Sequence, residues 1–250
     1  MIVWLNTNSV PITNISLNSS ETVINVFVTE VGDIYFGYTL NSTSGIQKLT
    51  SNLTNSVSVM ETDSRCYDVC INKDNYIYCS IDDHHKVVRK SLNDTLNSTR
   101  TIAGAGNAGS TSYMLHTPNG IFVDTNIDLY VADYENNRIQ LFHKEQPNAI
   151  TVAGSGSLNI TIMLNHPTEI VLDGNGYLFI VDYRNNRIVR NGPNGFYCLF
   201  GCNGCGSAAN LLRIPRSMAF DSFGNIYVVD DANHRIQKFH LISNSCSKLN

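Results

Sequence analysis

Charged residues, long apolar runs and basic clusters are all scarce in this chain. Asp, Glu, Lys and Arg make up 15% of its 250 residues, and the formal net charge is −4 at pH 7. No apolar run approaches the roughly 18 residues that would indicate a bilayer-crossing helix, so no membrane span is predicted. The basic residues are scattered, which disfavours nucleic-acid binding, because that function needs clustered Lys and Arg to neutralise phosphates.

Helical periodicity and common catalytic motifs are absent as well. No segment sustains apolar residues at a period of about 3.6, so almost no helix is expected. Neither Gly-x-Ser-x-Gly nor His-Glu-x-x-His occurs, which removes two frequent hydrolase signatures. The sequence therefore predicts an all-β chain that carries neither of these motifs.

One sequence unit recurs with a period of about fifty residues. The clear copies are Pro118–Phe142, Pro167–Arg190 and Pro215–Phe239, and two weaker copies precede them. When the five copies are aligned, an aromatic residue occupies the same position in each: Tyr35, Tyr78, Tyr130, Phe179 and Tyr227. Each clear unit has an apolar strand, an Asp-led turn, a strand of β-branched and aromatic residues, a second turn, an Arg-Ile strand and a last strand. Four short strands separated by turns are typical of a propeller blade.

The second turn carries a charged pair in each clear unit. The pairs are Asp133 with Arg138, Asp182 with Arg187, and Asp230 with Arg235. A guanidinium can grip a carboxylate across such a turn through two parallel hydrogen bonds, and the intervening Asn residues tolerate a left-handed backbone. We expect these pairs to be structural rather than ligand-binding, because they recur with the folding unit instead of appearing once.

These motifs resemble the NHL-repeat family, whose members form β-propellers, usually of six blades. The resemblance rests on Asp-x-x-Asn-x-Arg-Ile, on the Pro-x-x-Ile-x-x-Asp-x-x-Gly opening and on the closing Val-Ala-Gly. At the N-terminus, Ile2–Leu5 matches a third strand and Ile12–Ser16 a fourth strand, with no first or second strand before them. The resemblance implies a six-bladed-type propeller with an incomplete first blade.

The predicted organisation is one domain over residues 1–250. It comprises a partial blade at 1–20 and repeats at about 21–61, 62–105, 114–156, 163–204 and 211–246. Met1 opens directly on a strand, so no targeting segment is predicted.

The chain has seven cysteines, and their use in metal sites or disulfides helps to distinguish a cytosolic from a secreted protein. Cys66 and Cys70 are separated by about 13 Å on a strand at ~3.3 Å per residue, too far to chelate one metal. Cys202-x-x-Cys205 is a lone pair, so the zinc module of NHL ubiquitin ligases is not predicted here. One or two disulfides plus buried thiols are expected, with Cys246 unpaired. Glycosylation sequons favour an extracellular location and stand at Asn14, Asn18, Asn41, Asn52, Asn93, Asn97 and Asn159.

A column near the start of each innermost strand is rich in oxygen-bearing side chains. Its members are Asn25, Asp68, Gly120, Glu169 and Ser217. If Asn25, Asp68 and Glu169 point into the central channel, their hard oxygen ligands suit calcium, as in gluconolactonase-type propellers. His84 and His85 look like a metal pair, but His85 occupies the column of Asn137 and is interpreted as a turn residue.

The sequence favours a non-catalytic NHL propeller that serves as a protein- or peptide-binding scaffold. Rim loops on a rigid base suit recognition, whereas the fold alone does not define function. One alternative is a metal-dependent hydrolase or lyase in the channel, with calcium as its cofactor. Another is the substrate-recognition propeller of an NHL-type ubiquitin ligase that lacks its RING.

Overall fold

The computed structural model describes residues 22–29, 31–49, 55–94, 98–157 and 162–240. Within these ranges nineteen strands form five antiparallel sheets, in which each strand pairs with its neighbour in the chain. Three short 3-10 turns, Tyr134–Asn136, Tyr183–Asn185 and Asp231–Asn233, are the helical elements of this part of the chain. The fold is an all-β propeller.

Each sheet is one blade, and the strands are numbered in chain order. Blade 1 contains β1 (Thr22–Val28), β2 (Ile34–Leu40), β3 (Thr43–Leu49) and β4 (Ser56–Thr62). Blade 2 contains β5 (Asp68–Ile71), β6 (Tyr76–Ile81), β7 (Lys86–Ser91) and β8 (Arg100–Ala103). Blade 3 contains β9 (Pro118–Val123), β10 (Leu129–Asp133), β11 (Arg138–Phe142) and β12 (Ile150–Gly154). Blade 4 contains β13 (Pro167–Leu172), β14 (Leu178–Asp182), β15 (Arg187–Gly192) and β16 (Gly195–Phe200). Blade 5 contains β17 (Pro215–Phe220), β18 (Ile226–Asp230) and β19 (Arg235–Phe239).

The first strand of each blade lies innermost. β1 contacts β5, β5 contacts β9, β9 contacts β13, and β13 contacts β17. We call the end where these strands begin the upper face and the opposite end the lower face. The turn between the second and third strands also lies on the upper face, because Pro118 pairs with Asp133 and Asp133 with Arg138.

The blade count corrects one expectation. A six-bladed-type propeller with an N-terminal half-blade was predicted, whereas the described residues form five blades. The five sequence repeats account for all of these strands, and residues 1–20, assigned to the half-blade, lie outside the described residues.

Four of the five clusters of buried apolar side chains lie between consecutive blades, and the fifth lies within blade 1. Tyr78 and Val87 of blade 2 pack with Ile121 and Val131 of blade 3, and all four side chains are buried. Because both faces of a blade are covered, its central strands are apolar on both sides instead of alternating.

Blade 5 departs from this pattern on one face. Ala132–Ile139 in blade 3 and Val181–Ile188 in blade 4 are cross-strand pairs whose members are 0% exposed. The equivalent pair in blade 5, Val229 and Ile236, is 38% and 68% exposed. The same packing position is therefore open to solvent in this blade.

Two disulfides connect residues that are close in sequence, Cys66 with Cys79 and Cys198 with Cys202. Cys70 is a buried thiol and Cys205 an exposed one, while Cys246 lies outside the described residues. The two disulfides agree with the expectation of one or two, and of the two free thiols in the described ranges only Cys70 is buried as expected. No helix in the described ranges has the length and apolarity to cross a membrane.

Candidate functional site

The turns of the upper face are locked by buried carboxylates. Asp133 is 0% exposed, and its Oδ2 accepts hydrogen bonds from Arg138 Nε at 2.7 Å and Asn136 Nδ2 at 2.9 Å. Its Oδ1 accepts the backbone N–H of His116 at 2.7 Å. The same Asp–Arg and Asp–Asn contacts recur at Asp182 with Arg187 and Asn185, and at Asp230 with Arg235 and Asn233.

The arginines do not form the two parallel hydrogen bonds expected from the sequence. One N–H of Arg138 reaches Asp133, and its Nη atoms donate to the carbonyls of Ser110, Thr111 and Met114. Arg235 similarly donates to Ser207, Ala208 and Leu211. Each of these two arginines therefore ties its turn to the loop that leads into the same blade.

The carboxyl groups of Asp133 and Asp230, which occupy the same turn position, differ in their pKa. Burial raises the pKa of Asp133 despite the hydrogen bonds that stabilise its anion. At Asp230 burial also opposes ionisation, but donors including Asn233 and Gln237 outweigh it, and the pKa is lowered.

A second set of contacts joins neighbouring blades. The turns end at left-handed residues, with φ of 50° at His85, 55° at Asn137 and 54° at Asn186. His85 Nδ1 accepts the N–H of Thr117 at 3.0 Å, Asn137 Oδ1 that of His166 at 2.8 Å, and Asn186 Oδ1 that of Ile214 at 2.8 Å. His85 therefore occupies a turn position, as the repeat column predicts.

The residues held by these bonds are themselves strained. Thr117, His166 and Ile214 precede the first proline of blades 3, 4 and 5 and have φ of 53° to 54°. Left-handed backbone is unfavourable for β-branched residues, and such strain persists only where surrounding contacts over-determine it. The upper face is consequently a preorganised surface rather than a set of loose loops.

Aromatic and basic side chains cross this surface from blade to blade. Tyr134 lies edge-on to His166, with ring centroids 4.6 Å apart, and 6.2 Å from Tyr183. The guanidinium of Arg216 lies 5.4 Å from the Tyr183 ring centroid, and its Nε donates to Asp231 at 2.7 Å. We call Tyr134, His166, Tyr183 and Arg216 the upper-face strip.

Two carboxyl groups lie on the innermost strands of blades 2 and 4, near the ends that face the strip. Asp68 accepts the N–H of Val69 and, from the next blade, the N–H of Ile121, each at 2.8 Å. Glu169 accepts the N–H of Ile170 at 3.0 Å and the hydroxyl of Ser217 at 3.1 Å. Gly120 allows the backbone of blade 4 to approach closely, because a Cβ there would lie 2.6 Å from Thr168 O and 2.9 Å from Glu169 Oε1.

The surroundings of Asp68 and Glu169 favour the protonated forms of both carboxyl groups. Burial raises the pKa of Asp68 to about 6, against the two backbone donors that lower it. Burial, and then the charge of Asp68, raise the pKa of Glu169 well above its usual range. Burial raises the pKa of nearby Tyr67 to about 12, partly offset by Arg216. These inner-strand positions thus combine an acid pair with a nearby phenol.

The predicted calcium ligands are only partly brought together. The charges of Asp68 and Glu169 interact, whereas the Asn25 amide is engaged by backbone: Nδ2 donates to Tyr67 O at 2.6 Å and Oδ1 accepts from Gly37 N at 3.0 Å. Across the described ranges, no group of three or more His, Cys, Asp or Glu residues is arranged to hold a metal. Calcium binding by Asn25, Asp68 and Glu169 stays a prediction.

Sequence reasoning missed the upper-face strip. Tyr134 and Tyr183 each follow a turn aspartate, so their shared column was visible. Their contact across blades was not, because neighbouring repeats meet only in three dimensions.

Five meandering sheets whose first strands contact one another in chain order define the chain as a β-propeller. A family model for the NHL repeat matches residues 115–142 and 212–239. The chain is therefore a β-propeller that contains NHL-type repeats at these two positions. A search of curated protein sequences gave no match.

Solved structures with the same fold have varied functions. A streptogramin B lyase structure matches with a TM-score of 0.63 at 14% identity, covering 92% of this chain and 72% of that one. A nidogen/laminin complex matches with a TM-score of 0.64 at 16% identity, covering 88% and 81%. An auxiliary nutrient binding protein from Bacteroides ovatus matches with a TM-score of 0.63 at 16% identity, covering 86% and 58%. At these identities the likeness establishes the fold alone.

Proposed function

We propose that this propeller is a non-catalytic binding module that holds a protein or peptide partner on its upper face. The observation that carries the proposal is the upper-face strip, in which Tyr134, Tyr183 and Arg216 from three successive blades form a continuous set of contacts. Tyr and Arg dominate binding hot spots, since they combine a large apolar area with a polar end.

Rigidity supports the same proposal. The strip stands on turns held by Asp182–Arg187 and Asp133–Arg138, so little side-chain and loop freedom is lost when a partner binds. Arg216 remains 49% exposed although it is paired with Asp231, which leaves donors available to a partner. A partner with an acidic or carbonyl-rich segment flanked by apolar residues fits this surface.

A peptide-display selection on the purified chain tests the proposal. The dissociation constants of selected peptides would be compared for wild type, Tyr183→Ala and Arg216→Ala, with Tyr197→Ala as a control for an exposed tyrosine on another strand. Loss of a hot-spot side chain should weaken binding about tenfold or more, whereas the control should not. If Tyr183→Ala and Arg216→Ala bind the selected peptides as tightly as wild type does, the binding surface lies elsewhere on the protein.

A second candidate is a channel enzyme, favoured by one observation. Asp68 and Glu169 form an acid pair with raised pKa values, which is typical of acid–base sites as well as of structural pairs. Hydrolysis of a chromogenic ester, with and without calcium, would test it, and Glu169→Gln should abolish any activity of this site. The ubiquitin-ligase alternative stays a prediction, because its catalytic domain would lie outside this chain.

We infer an oxidising, extracellular setting from the two disulfides, since such bonds persist mainly outside the cytosol. Mass spectrometry of the protein from its native source, before and after reduction, would test this inference. Fully reduced Cys66 and Cys79 would contradict it.

A further inference from the structure

A cleft of 310 Å³ opens on the lower face between blades 2 and 3. Its apolar lining includes Leu129 and Phe142, which are 4% and 2% exposed, together with part-buried Ile102. Its polar lining includes Arg89, Arg100 and Glu145. The volume lies in the range of small-molecule sites, which are typically apolar cavities with a few convergent polar groups.

The carboxylate of Glu145 is shared by the two arginines. Arg89 donates to Oε1 at 2.6 Å, and Arg100 approaches Oε2 at 2.9 Å. Arg89 is the better fixed of the two, since its side chain is 15% exposed and its guanidinium lies 4.9 Å from the Tyr76 ring centroid. The arrangement is a two-arginine clamp for a carboxylate, and a side chain of the protein fills it.

Glu145 is weakly held apart from this clamp. Its side chain is 42% exposed, and its backbone has a φ of 58° in the loop between β11 and β12. The pair with Arg100 is exposed and contributes little stability, and a left-handed non-glycine residue is strained. Movement of Glu145 out of the clamp therefore costs mainly its bond to Arg89, and it would leave Arg89 and Arg100 facing the cavity.

The charge of the cleft contrasts with that of the whole chain. Arg89, Arg100 and Lys144 line it against the single carboxylate of Glu145, whereas the chain has a net charge of −4. His143, also at the cleft, contacts Asp128 at 2.8 Å. Without Glu145 in place, three cations would adjoin an apolar cavity, which matches an anion that has an apolar body.

We propose that this cleft binds a small amphiphilic carboxylate whose carboxylate replaces that of Glu145 between Arg89 and Arg100. The apolar part of the ligand lies against Phe142, Leu129 and Ile102. Its transfer from water into this lining makes the binding free energy more favourable. Two guanidinium groups match the two oxygens of a carboxylate, which gives the site its preference for that group. The site is on the opposite face from the upper-face strip and is independent of the function proposed there.

Calorimetric titration with 4-phenylbutyrate tests the proposal, with 4-phenylbutyramide as the neutral control. The acid should bind and the amide should bind at least tenfold more weakly. Glu145→Ala should bind the acid about tenfold more tightly, because the internal competitor is gone. Arg100→Ala should bind it about tenfold more weakly, and Arg184→Ala, an exposed arginine outside the cleft, should match wild type.

Several outcomes would overturn the proposal. One is no binding of the acid by either wild type or Glu145→Ala, with both folded by circular dichroism. Equal binding of acid and amide would indicate a purely apolar pocket. Equal competition by inorganic phosphate would indicate an anion site without use of the cavity. Arg100 is 67% exposed, so its replacement spares the fold and keeps the comparison informative.

Discussion

The Oδ1 atom of Asn137 accepts the backbone N–H of His166 at 2.8 Å, which joins the turn of one blade to the start of the next. Asn137 has a left-handed backbone because it ends its turn, and His166 is left-handed at the position before Pro167. The same bond recurs between Asn186 and Ile214. Repeated αL residues in this propeller therefore serve as inter-blade connectors as well as turn formers.

Replacing Asn137 with Gly should isolate the connector role. Glycine adopts the φ of 55° without strain, so the turn survives. The bond to His166 is lost, together with the longer 3.5 Å bond from Asn137 Nδ2 to Glu135 O. The free energy of unfolding should fall by about 1 kcal/mol, the net value of one such hydrogen bond. Urea unfolding would measure it, with Asn75→Gly as the control, because Asn75 is an exposed turn residue with a φ of 59°. An unchanged midpoint for Asn137→Gly would show that the connector contributes nothing.

Replacing Arg138 with Ala should destabilise the fold more strongly. The change leaves the carboxylate of Asp133, which is 0% exposed, without its cation and frees three backbone carbonyls. Loss of one partner of a buried pair costs roughly 3 kcal/mol or more. Arg235→Ala should cost less, because the Arg235 side chain is 31% exposed against 8% for Arg138. Calorimetric melting of the two variants would measure the order, and a larger loss for Arg235→Ala would contradict it.

Much of this fold could be predicted from repeat columns, because every blade repeats the same local chemistry. The left-handed turn at His85 followed from its alignment with Asn137, although the residue types differ. Contacts between repeats could not be predicted in this way. The bond from His166 to Asn137 joins residues 29 positions apart, and Glu145 reaches Arg89 from a loop with no repeat signature. The two parallel hydrogen bonds expected between Arg138 and Asp133 do not form, because the Arg138 Nη atoms donate to loop carbonyls instead. No sequence motif marks those carbonyls.

Stability should fall as pH rises from about 4 to about 6 through the ionisation of Asp68. Its folded pKa of about 6 lies above the ordinary 3.8, so in this window the folded state holds more protons than the unfolded state. Unfolding is then favoured by rising pH, and the contribution is constant below and above the window. The raised pKa of Glu169 extends the decline to higher pH.

Chemical unfolding of wild type and Asp68→Asn across pH 3 to 8 would measure this contribution as a difference between the two proteins. Taking the difference removes the contributions of groups that both proteins share. One of these is His85, whose lowered pKa makes stability rise with pH. A difference that does not change between about pH 4 and 6 would mean that Asp68 is ordinarily solvated.

The open face of blade 5 predicts an asymmetry between two equivalent isoleucines. Ile188 is 0% exposed between blades, whereas Ile236 occupies the same column of its blade at 68% exposure. Replacing Ile188 with Ser removes a buried apolar side chain and places a hydroxyl in the core, which should cost about 3 kcal/mol or more. Ile236→Ser should change the free energy of unfolding by less than about 0.5 kcal/mol, the range of ordinary surface substitutions. Urea unfolding of the two variants gives both values. A large loss for Ile236→Ser would show that this face is covered in solution, either by a part of the chain outside the described residues or by a second copy.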